Sequence, residues 1–142
     1  MSKNPIFNAS GCKDLTAHKA INNASRSERK ETGNSKPAKV YICSPFAGDT
    51  EANVEKALKY CRFAIDKGKL PIAPHCYFPR FMDDSNPAER ELGMDFAIRL
   101  LYGCRELWVF GDKISEGMKR EIAAAQWRNI RIRRFGENLE EM

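Results

Sequence analysis

From Lys39 onward, short runs rich in β-branched and aromatic residues alternate with longer stretches whose apolar residues recur every three or four positions. The connections between the strand-like runs are too long for hairpins, so consecutive strands must be parallel, with a helix crossing over between them. This alternation predicts a doubly wound α/β fold. We expect a four-stranded parallel sheet in the order 2-1-3-4, with helices on both faces.

Local signals predict where the individual elements lie. Strands are predicted at 39–44, 70–74, 106–111 and 130–135, and helices between Thr50 and Gly68, at 87–104 and from Ser115 to Asn129. Thr50 is expected to cap the first helix, and Pro87 suits the first turn of the second. Trp108 and Trp127 have apolar neighbours and are therefore expected in the core.

The N-terminal part of the chain has a different composition. Residues 22–37 contain no large apolar side chain, which is typical of a linker, and a short helix is expected at 14–22 ahead of it. Residues 1–37 hold 7 basic and 3 acidic side chains, whereas residues 38–142 hold 17 and 16. We expect a flexible basic extension, 1–37, followed by one near-neutral domain, 38–142. Such a domain lacks the basic face of a nucleic-acid-binding fold.

The five cysteines form no CxxC pair, which predicts reduced thiols rather than disulfides. A zinc site drawn from Cys12, His18, His75 and Cys76 would lack the paired ligand spacing that zinc sites show, so no metal is expected. No apolar run reaches the length of about 18 residues that a membrane span needs, and no secretory signal is evident. The sequence thus predicts a soluble, cytoplasmic protein.

In a doubly wound sheet, ligands bind beyond the carboxyl ends of the central strands, which directs attention to the loops at 44–50 and 111–117. The first, SPFAGD, joins a strand to a helix N-terminus, where free N–H groups favour an anion. It lacks both the GxGxxG fingerprint and the Walker pattern. Ser44 and Gly48 are equally compatible with a plain turn.

The second loop leads into SEGMKRE at 115–121. Glu121 lies one helical turn beyond Gly117 on the same face, so the glycine leaves room beside the carboxylate. The residues three and four positions away from Glu121 are all uncharged: Gly117, Met118, Ala124 and Ala125. A local ion pair is therefore excluded, and a long-range ion pair remains the alternative to a functional role.

With VYICSPFAG at 40–48 and the Ser-x-Gly-x-x-x-Glu pattern at 115–121, the chain resembles the nucleoside 2-deoxyribosyltransferase-like superfamily, including its nucleotide N-glycosidase branch, over residues 39–135. The resemblance implies that Glu121 is a nucleophile that attacks C1′ of a deoxyribosyl group. It implies that Tyr41 positions this carboxylate. No cofactor is implied.

The resemblance also implies a set of binding residues. Ser44 and Ser115 would hold a 5′-phosphate or 5′-hydroxyl at helix N-termini, with Pro45, Phe46, Gly48 and Gly117 around the substrate. Asp95 would protonate the leaving base, with Asp112 as a second candidate, although Asp95 could equally pair with Arg99. In the loop at 75–87, His75 and Tyr77 offer a polar edge and a stacking face for a base, or else cover the sheet end.

Two other classes of function stay open. A catalytically silent nucleotide-binding module would share the fold but would not require Glu121. An interaction protein would act through the basic residues at 1–37. For an enzyme of this group we further expect a homodimer or larger symmetric assembly, because four strands leave one sheet edge free and a second copy could complete the pocket.

Overall fold

Four parallel strands form the centre of the structure, a computed structural model that describes residues 36–142. In chain order the elements are β1 (Lys39–Cys43), α1 (Thr50–Asp66), β2 (Leu70–Ile72), two 3-10 turns (Pro74–Cys76 and Phe78–Arg80), α2 (Pro87–Tyr102), β3 (Glu106–Phe110), α3 (Glu116–Trp127) and β4 (Arg131–Phe135). The expectations for the basic extension and its short helix lie outside the described residues.

The strand order is β2-β1-β3-β4, and every pair is parallel, which confirms the predicted doubly wound, Rossmann-like α/β fold. Tyr41 lies opposite Ile72 on one side and Leu107 on the other, and Leu107 lies opposite Ile132. The chain therefore reverses its direction of winding between β1 and β3. The carboxyl ends of these two strands are where a ligand site is expected.

Because side chains alternate along a strand, each face of the sheet has its own apolar core. On one face the strands pack against α2 and α3; this cluster is formed by Tyr41, Cys43, Leu107 and Val109 with Ala97, Leu101, Cys104, Met118 and Ala125. On the other face they pack against α1; this cluster is formed by Val40, Ile42, Trp108, Phe110 and Phe135 with Tyr60, Ala64 and Ala73. Tyr41 and Cys43 thus point towards α3.

β4 is the last strand of the parallel sheet, but the end of the chain returns along part of it. Met142 N donates to Arg134 O at 2.9 Å, and Phe135 forms an antiparallel bridge with Glu141. The predicted free edge is thus covered at its carboxyl end. Side chains alternate along β4, so Ile132 points towards the core beneath α3, whereas Arg133 lies over the Trp108 ring on the opposite face.

Two local predictions were wrong. Asp49, not Thr50, caps α1: its Oδ1 accepts from Ala52 N at 3.2 Å, while Thr50 is the first helical residue. Trp108 is buried as predicted, but Trp127 is 78% exposed because it lies on the outer face of α3, opposite the buried face formed by Met118, Glu121 and Ala125. No helix within residues 36–142 is long and apolar enough to cross a membrane.

Candidate active site

A buried carboxylate lies where β1 meets α3. Glu121, in the second turn of α3, is only 5% exposed. Tyr41 and Cys43 are two residues apart on β1 and therefore point to the same face of the sheet. The Tyr41 hydroxyl donates a hydrogen bond to Oε2 of Glu121, and the Cys43 thiol donates to Oε1 at 3.3 Å. The carboxylate is thus held at both oxygens by one strand.

Burial without a counter-ion controls the protonation of this group. None of the ion pairs in the described part of the chain includes Glu121. Burial raises the pKa of Glu121 to about 7, although the hydrogen bonds from Tyr41 and Cys43 act in the opposite direction. The carboxyl group therefore gains or loses its proton near neutral pH. Perturbed groups of this kind are frequent in active sites.

The two donors keep their protons under the same conditions. Burial, and then the charge of Glu121, raise the pKa of Tyr41 well above its ordinary value. The same two causes raise the pKa of the Cys43 thiol. Both groups are thus neutral hydrogen-bond donors when Glu121 is ionised.

The N-terminus of α3 forms one wall beside Glu121. Ser115 caps the helix, because its Oγ accepts from Met118 N at 3.3 Å. Gly117 follows in the first turn, where a Cβ atom would lie 3.4 Å from Cε of Met94. The missing side chain at Gly117 therefore keeps a gap open between α3 and α2.

Glu121 lies in the lining of a cavity of about 360 Å³, within the usual size of a small-molecule site. Its walls are mainly apolar and include the side chains of Phe46, Phe78, Met82, Met94 and Ala97. The charged residues in the lining, besides Glu121, are Asp84, Glu89, Arg90 and Glu116. The combination of apolar walls, a few charged groups and a buried carboxylate suits an uncharged ring system with polar substituents.

A second polar pair contributes to the lining. Ser44, which follows β1 and is nearly fully buried, has its Oγ 3.3 Å from Nε2 of His75 in the first 3-10 turn. The Phe46 ring lies 5.7 Å from the imidazole, measured between centroids. Burial lowers the pKa of His75 to about 4, so its imidazole is neutral at physiological pH. A neutral imidazole of this kind can orient a ligand but carries no charge to attract one.

The structure brings together part of the predicted site. Six of the residues proposed from the sequence line the cavity, with Tyr41 behind the carboxylate: Ser44, Phe46, His75, Ser115, Gly117 and Glu121. Pro45 and Gly48 precede α1 but do not line the cavity, and Gly48 is exposed, with a φ of +97° that serves the turn. Tyr77 is 41% exposed and packs edge-on against Phe78 rather than facing the cavity.

The two residues proposed to protonate the leaving base, Asp95 and Asp112, do not line the cavity. Asp95 lies on the exposed side of α2, where its Oδ2 is 3.2 Å from Nε of Arg99. This is the local pairing that the sequence left open. Asp112 is exposed and lies towards Tyr60, in the core on the opposite face of the sheet. The pKa of Tyr60 is raised first by burial and then by the charges of Glu137 and Asp112. The acidic groups that line the cavity, apart from Glu121, are Asp84, Glu89 and Glu116.

Cys43 and Met94 contribute to the site but were not predicted from the sequence. Cys43 was interpreted only as a reduced thiol, although its place two residues after Tyr41 on one strand was a usable signal. Met94 gave no such signal, since its position beside Gly117 depends on how α2 packs against α3. Within residues 36–142, no group of three or more His, Cys, Asp or Glu side chains converges to hold a metal ion.

Comparison with known proteins shows that a family model matches the chain. A family model described as "Domain of unknown function (DUF7768)" matches residues 38–135, which is more than half of the 142 residues and runs from β1 to the end of β4. The match includes Tyr41, Cys43 and Glu121. No curated protein matches the chain significantly.

Proposed function

We propose that this chain, which belongs to the DUF7768 family, cleaves the N-glycosidic bond of a 2′-deoxynucleoside or its 5′-monophosphate, with Glu121 as the nucleophile. The observation that carries the proposal is the carboxylate itself. It is buried, has no cationic partner among residues 36–142, receives hydrogen bonds from Tyr41 and Cys43, and lines a cavity of about 360 Å³. Burial of an unpaired carboxylate is costly and needs a reason.

The reaction proceeds in two steps. A carboxylate oxygen of Glu121 attacks C1′ and forms a C–O bond while the bond from C1′ to the base nitrogen breaks. The base leaves with the bonding electron pair and takes up a proton. Water or a second base then attacks C1′ and releases the carboxylate, which completes hydrolysis or transfer, respectively. Each oxygen of Glu121 accepts one hydrogen bond and keeps a further lone pair for the attack.

Three acidic side chains besides Glu121 line the cavity, and one of them, Glu116, is paired with Lys119 at 2.8 Å. Two candidate sources of the proton for the leaving base therefore remain. Asp84 and Glu89 both line the cavity, and Glu89 is held in place because its Oε1 accepts from Asp83 N at 2.8 Å. Asp95 and Asp112, which the resemblance implied for this role, do not contribute to the lining. We therefore transfer the role of acid to the pair Asp84 and Glu89.

The 5′ end of the substrate is proposed to bind near the start of α3. Ser115 and Gly117 line the cavity there, and the free N–H groups of a helix N-terminus favour an anion. Ser44 lies in the same lining with its hydroxyl beside His75. These groups support the proposal that a 5′-phosphate or a 5′-hydroxyl binds here.

The proposal is tested by incubating the purified protein with a panel of deoxynucleosides and their 5′-monophosphates and measuring free base. Base released without an added acceptor base indicates hydrolysis, and base released only with one indicates transfer. Tighter binding of monophosphates, with inorganic phosphate as a competitor, would support the site at α3. Binding of panel members without any base release would favour the non-catalytic nucleotide-binding module, and neither binding nor release would contradict both.

Gly117→Ala is expected to stabilise the fold and weaken the activity. The backbone of Gly117 is helical, so alanine should raise the free energy of unfolding by up to about 1 kcal/mol. The added Cβ lies 3.4 Å from Met94 and fills space beside Glu121, so the KM for the substrate should rise. Thermal unfolding and steady-state kinetics measure the two effects. An unchanged KM would show that the substrate does not occupy this gap.

A homodimer or larger assembly is also proposed. Leu92, Phe96 and Leu100 recur every four residues on α2 and are 45%, 39% and 37% exposed, with Phe81 close by. A continuous apolar stripe of this kind is typical of an interface.

Light scattering should give a mass of at least twice 16.2 kDa, and Phe96→Asp should reduce it to that of one chain. An active 16.2 kDa particle at micromolar concentration would contradict the proposal.

A further inference from the structure

We propose that Cys43 is a positioning residue: its thiol donates to Oε1 of Glu121 and, with the Tyr41 hydroxyl on Oε2, fixes the plane of the carboxylate. The role rests on the proposed function, in which this carboxylate attacks C1′. The contact between Cys43 and Glu121 can nevertheless be tested without any substrate.

The Cys43 thiol is buried at the end of β1, beside the carboxylate of Glu121. Cys43 is the last residue of β1, is 0% exposed, and has Sγ 3.3 Å from Oε1 of Glu121. Among residues 36–142 this is the hydrogen bond that its side chain makes. In contrast, Cys104 belongs to the same core cluster and donates to Leu100 O at 3.4 Å. Two buried thiols thus occupy one core, and one of them contacts Glu121.

The Cys43 thiol, as a second donor beside the Tyr41 hydroxyl, restricts the rotation of the Glu121 carboxylate. The terminal torsion of a glutamate side chain is soft, so a single hydrogen bond at Oε2 leaves the plane of the carboxylate free to rotate. Donors at both oxygens remove that freedom, and they come from one strand because Tyr41 and Cys43 share a face. Fixing the angle of attack before substrate binds increases the rate of the bond-forming step rather than the affinity.

A thiol suits this place better than a hydroxyl. Cys43 packs among apolar side chains, where a thiol behaves as a small hydrophobic group with a weak donor. Burial and the charge of Glu121 raise the pKa of the Cys43 thiol well above its ordinary value. The charge of Arg134 on β4 lowers this pKa, but its effect is smaller. Cys43 therefore acts as a donor and not as a competing nucleophile.

The other titratable groups around this site come from β4, from the end of α2 and from the lining of the cavity. They are Arg134 on β4, Cys104 after α2, His75 in the first 3-10 turn, Asp84 before α2, Glu89 and Arg90 on α2, and Glu116 on α3. None of them makes a hydrogen bond or ion pair with Glu121. A change in the titration of Glu121 on replacement of Cys43 is thus assigned to the thiol.

The test compares Cys43→Ala, Cys43→Ser and the matched control Cys104→Ala in the full chain. Carboxyl ¹³C chemical shifts of glutamate-labelled protein, assigned with Glu121→Gln, give the titration midpoint of Glu121. We expect Cys43→Ala to raise the midpoint by about half a pH unit or more, because the ionised form loses a donor. Cys43→Ser, which restores a donor, should return it towards the wild-type value, and Cys104→Ala should leave it unchanged.

Kinetics give a second readout. For Cys43→Ala, kcat should fall by roughly 5- to 20-fold with KM within about twofold, and the pH–rate profile should move to higher pH. If the alanine variant is too unstable, Cys43→Val fills the site without a donor and should give the same shifts. A midpoint and pH profile equal to those of wild type, or equal shifts in Cys104→Ala, would overturn the role of Cys43. Absence of turnover in wild type would instead refute the proposed function, while the titration would still decide whether the thiol acts on Glu121.

Discussion

Glu121→Gln should abolish the release of base from every deoxynucleoside or monophosphate that the wild-type protein cleaves. The amide has nearly the volume of the carboxylate and can still accept from the Tyr41 hydroxyl, so the fold should persist. It has no anionic oxygen to attack C1′, and kcat should fall on the order of 10³-fold or more. Chromatographic assay of free base over long incubations measures the loss.

Glu55→Gln is a suitable control for this prediction, because Glu55 lies exposed on α1 and is not in the cavity lining. It should retain wild-type turnover. Activity in Glu121→Gln within about tenfold of wild type would exclude Glu121 as the nucleophile, whatever the role of the cavity.

The second large effect is a change in the free energy of unfolding with pH, caused by the ionisation of Glu121. Burial raises the pKa of Glu121 from 4.5 to about 7 in the folded protein, so the stability that its protonated form contributes is present below about pH 4.5 and is lost as the pH rises through 7. Glu121→Gln cannot ionise. Its free energy of unfolding should match that of wild type near pH 4 and exceed it by roughly 3 kcal/mol above about pH 8. Urea unfolding at both pH values measures the difference.

The free energy of unfolding of the variant is compared with that of wild type at each pH, because ionisation of His75 also makes stability depend on pH, in the opposite sense. The pKa of His75 is lowered to about 4, so its contribution is present above about pH 6.5 and is lost as the pH falls through 4, equally in both proteins. Glu116→Gln is the matched control: Glu116 is exposed on α3, and the hydrogen bond from Lys119 lowers its pKa. It should show no such gain in stability at high pH. Equal stability of Glu121→Gln and wild type at both pH values would mean that Glu121 is not a buried ionising group.

The fold was predictable because it depends on periodicity. Alternating strand and helix patterns from Lys39 onward, joined by long connections, leave few topologies, and the observed order β2-β1-β3-β4 is the one expected. Glu121 was a candidate partly for a related reason: its neighbours three and four positions away are uncharged, which excluded a local ion pair. Its burial is a finding of the structure, and its role as a nucleophile was implied by the resemblance and not by spacing.

The rest of the site depends on how helices pack, which spacing does not determine. Helix α2 carries apolar residues on both sides, with Leu101 buried and Phe96 exposed, so its sequence did not show which side faces α3. The resemblance assigned Asp95 to the site, and nothing in the pattern of α2 showed that this residue lies on the exposed side. Met94, one residue earlier, lines the cavity and was missed. Trp127 was misplaced because the prediction relied on apolar neighbours in sequence and not on the helical repeat, which places Trp127 on the face of α3 opposite Met118.

Covalent labelling tests the central claim most directly. A deoxynucleoside with a good leaving base and a 2′-fluorine substituent should react in the first step and be slow in the second, because fluorine destabilises the positive charge that develops at C1′. Mass spectrometry of the treated wild-type protein should show an added fluorodeoxyribosyl group on the peptide that contains Glu121, and none in Glu121→Gln. Base release without this label, or a label on a different residue, would contradict the assignment of Glu121 as the nucleophile.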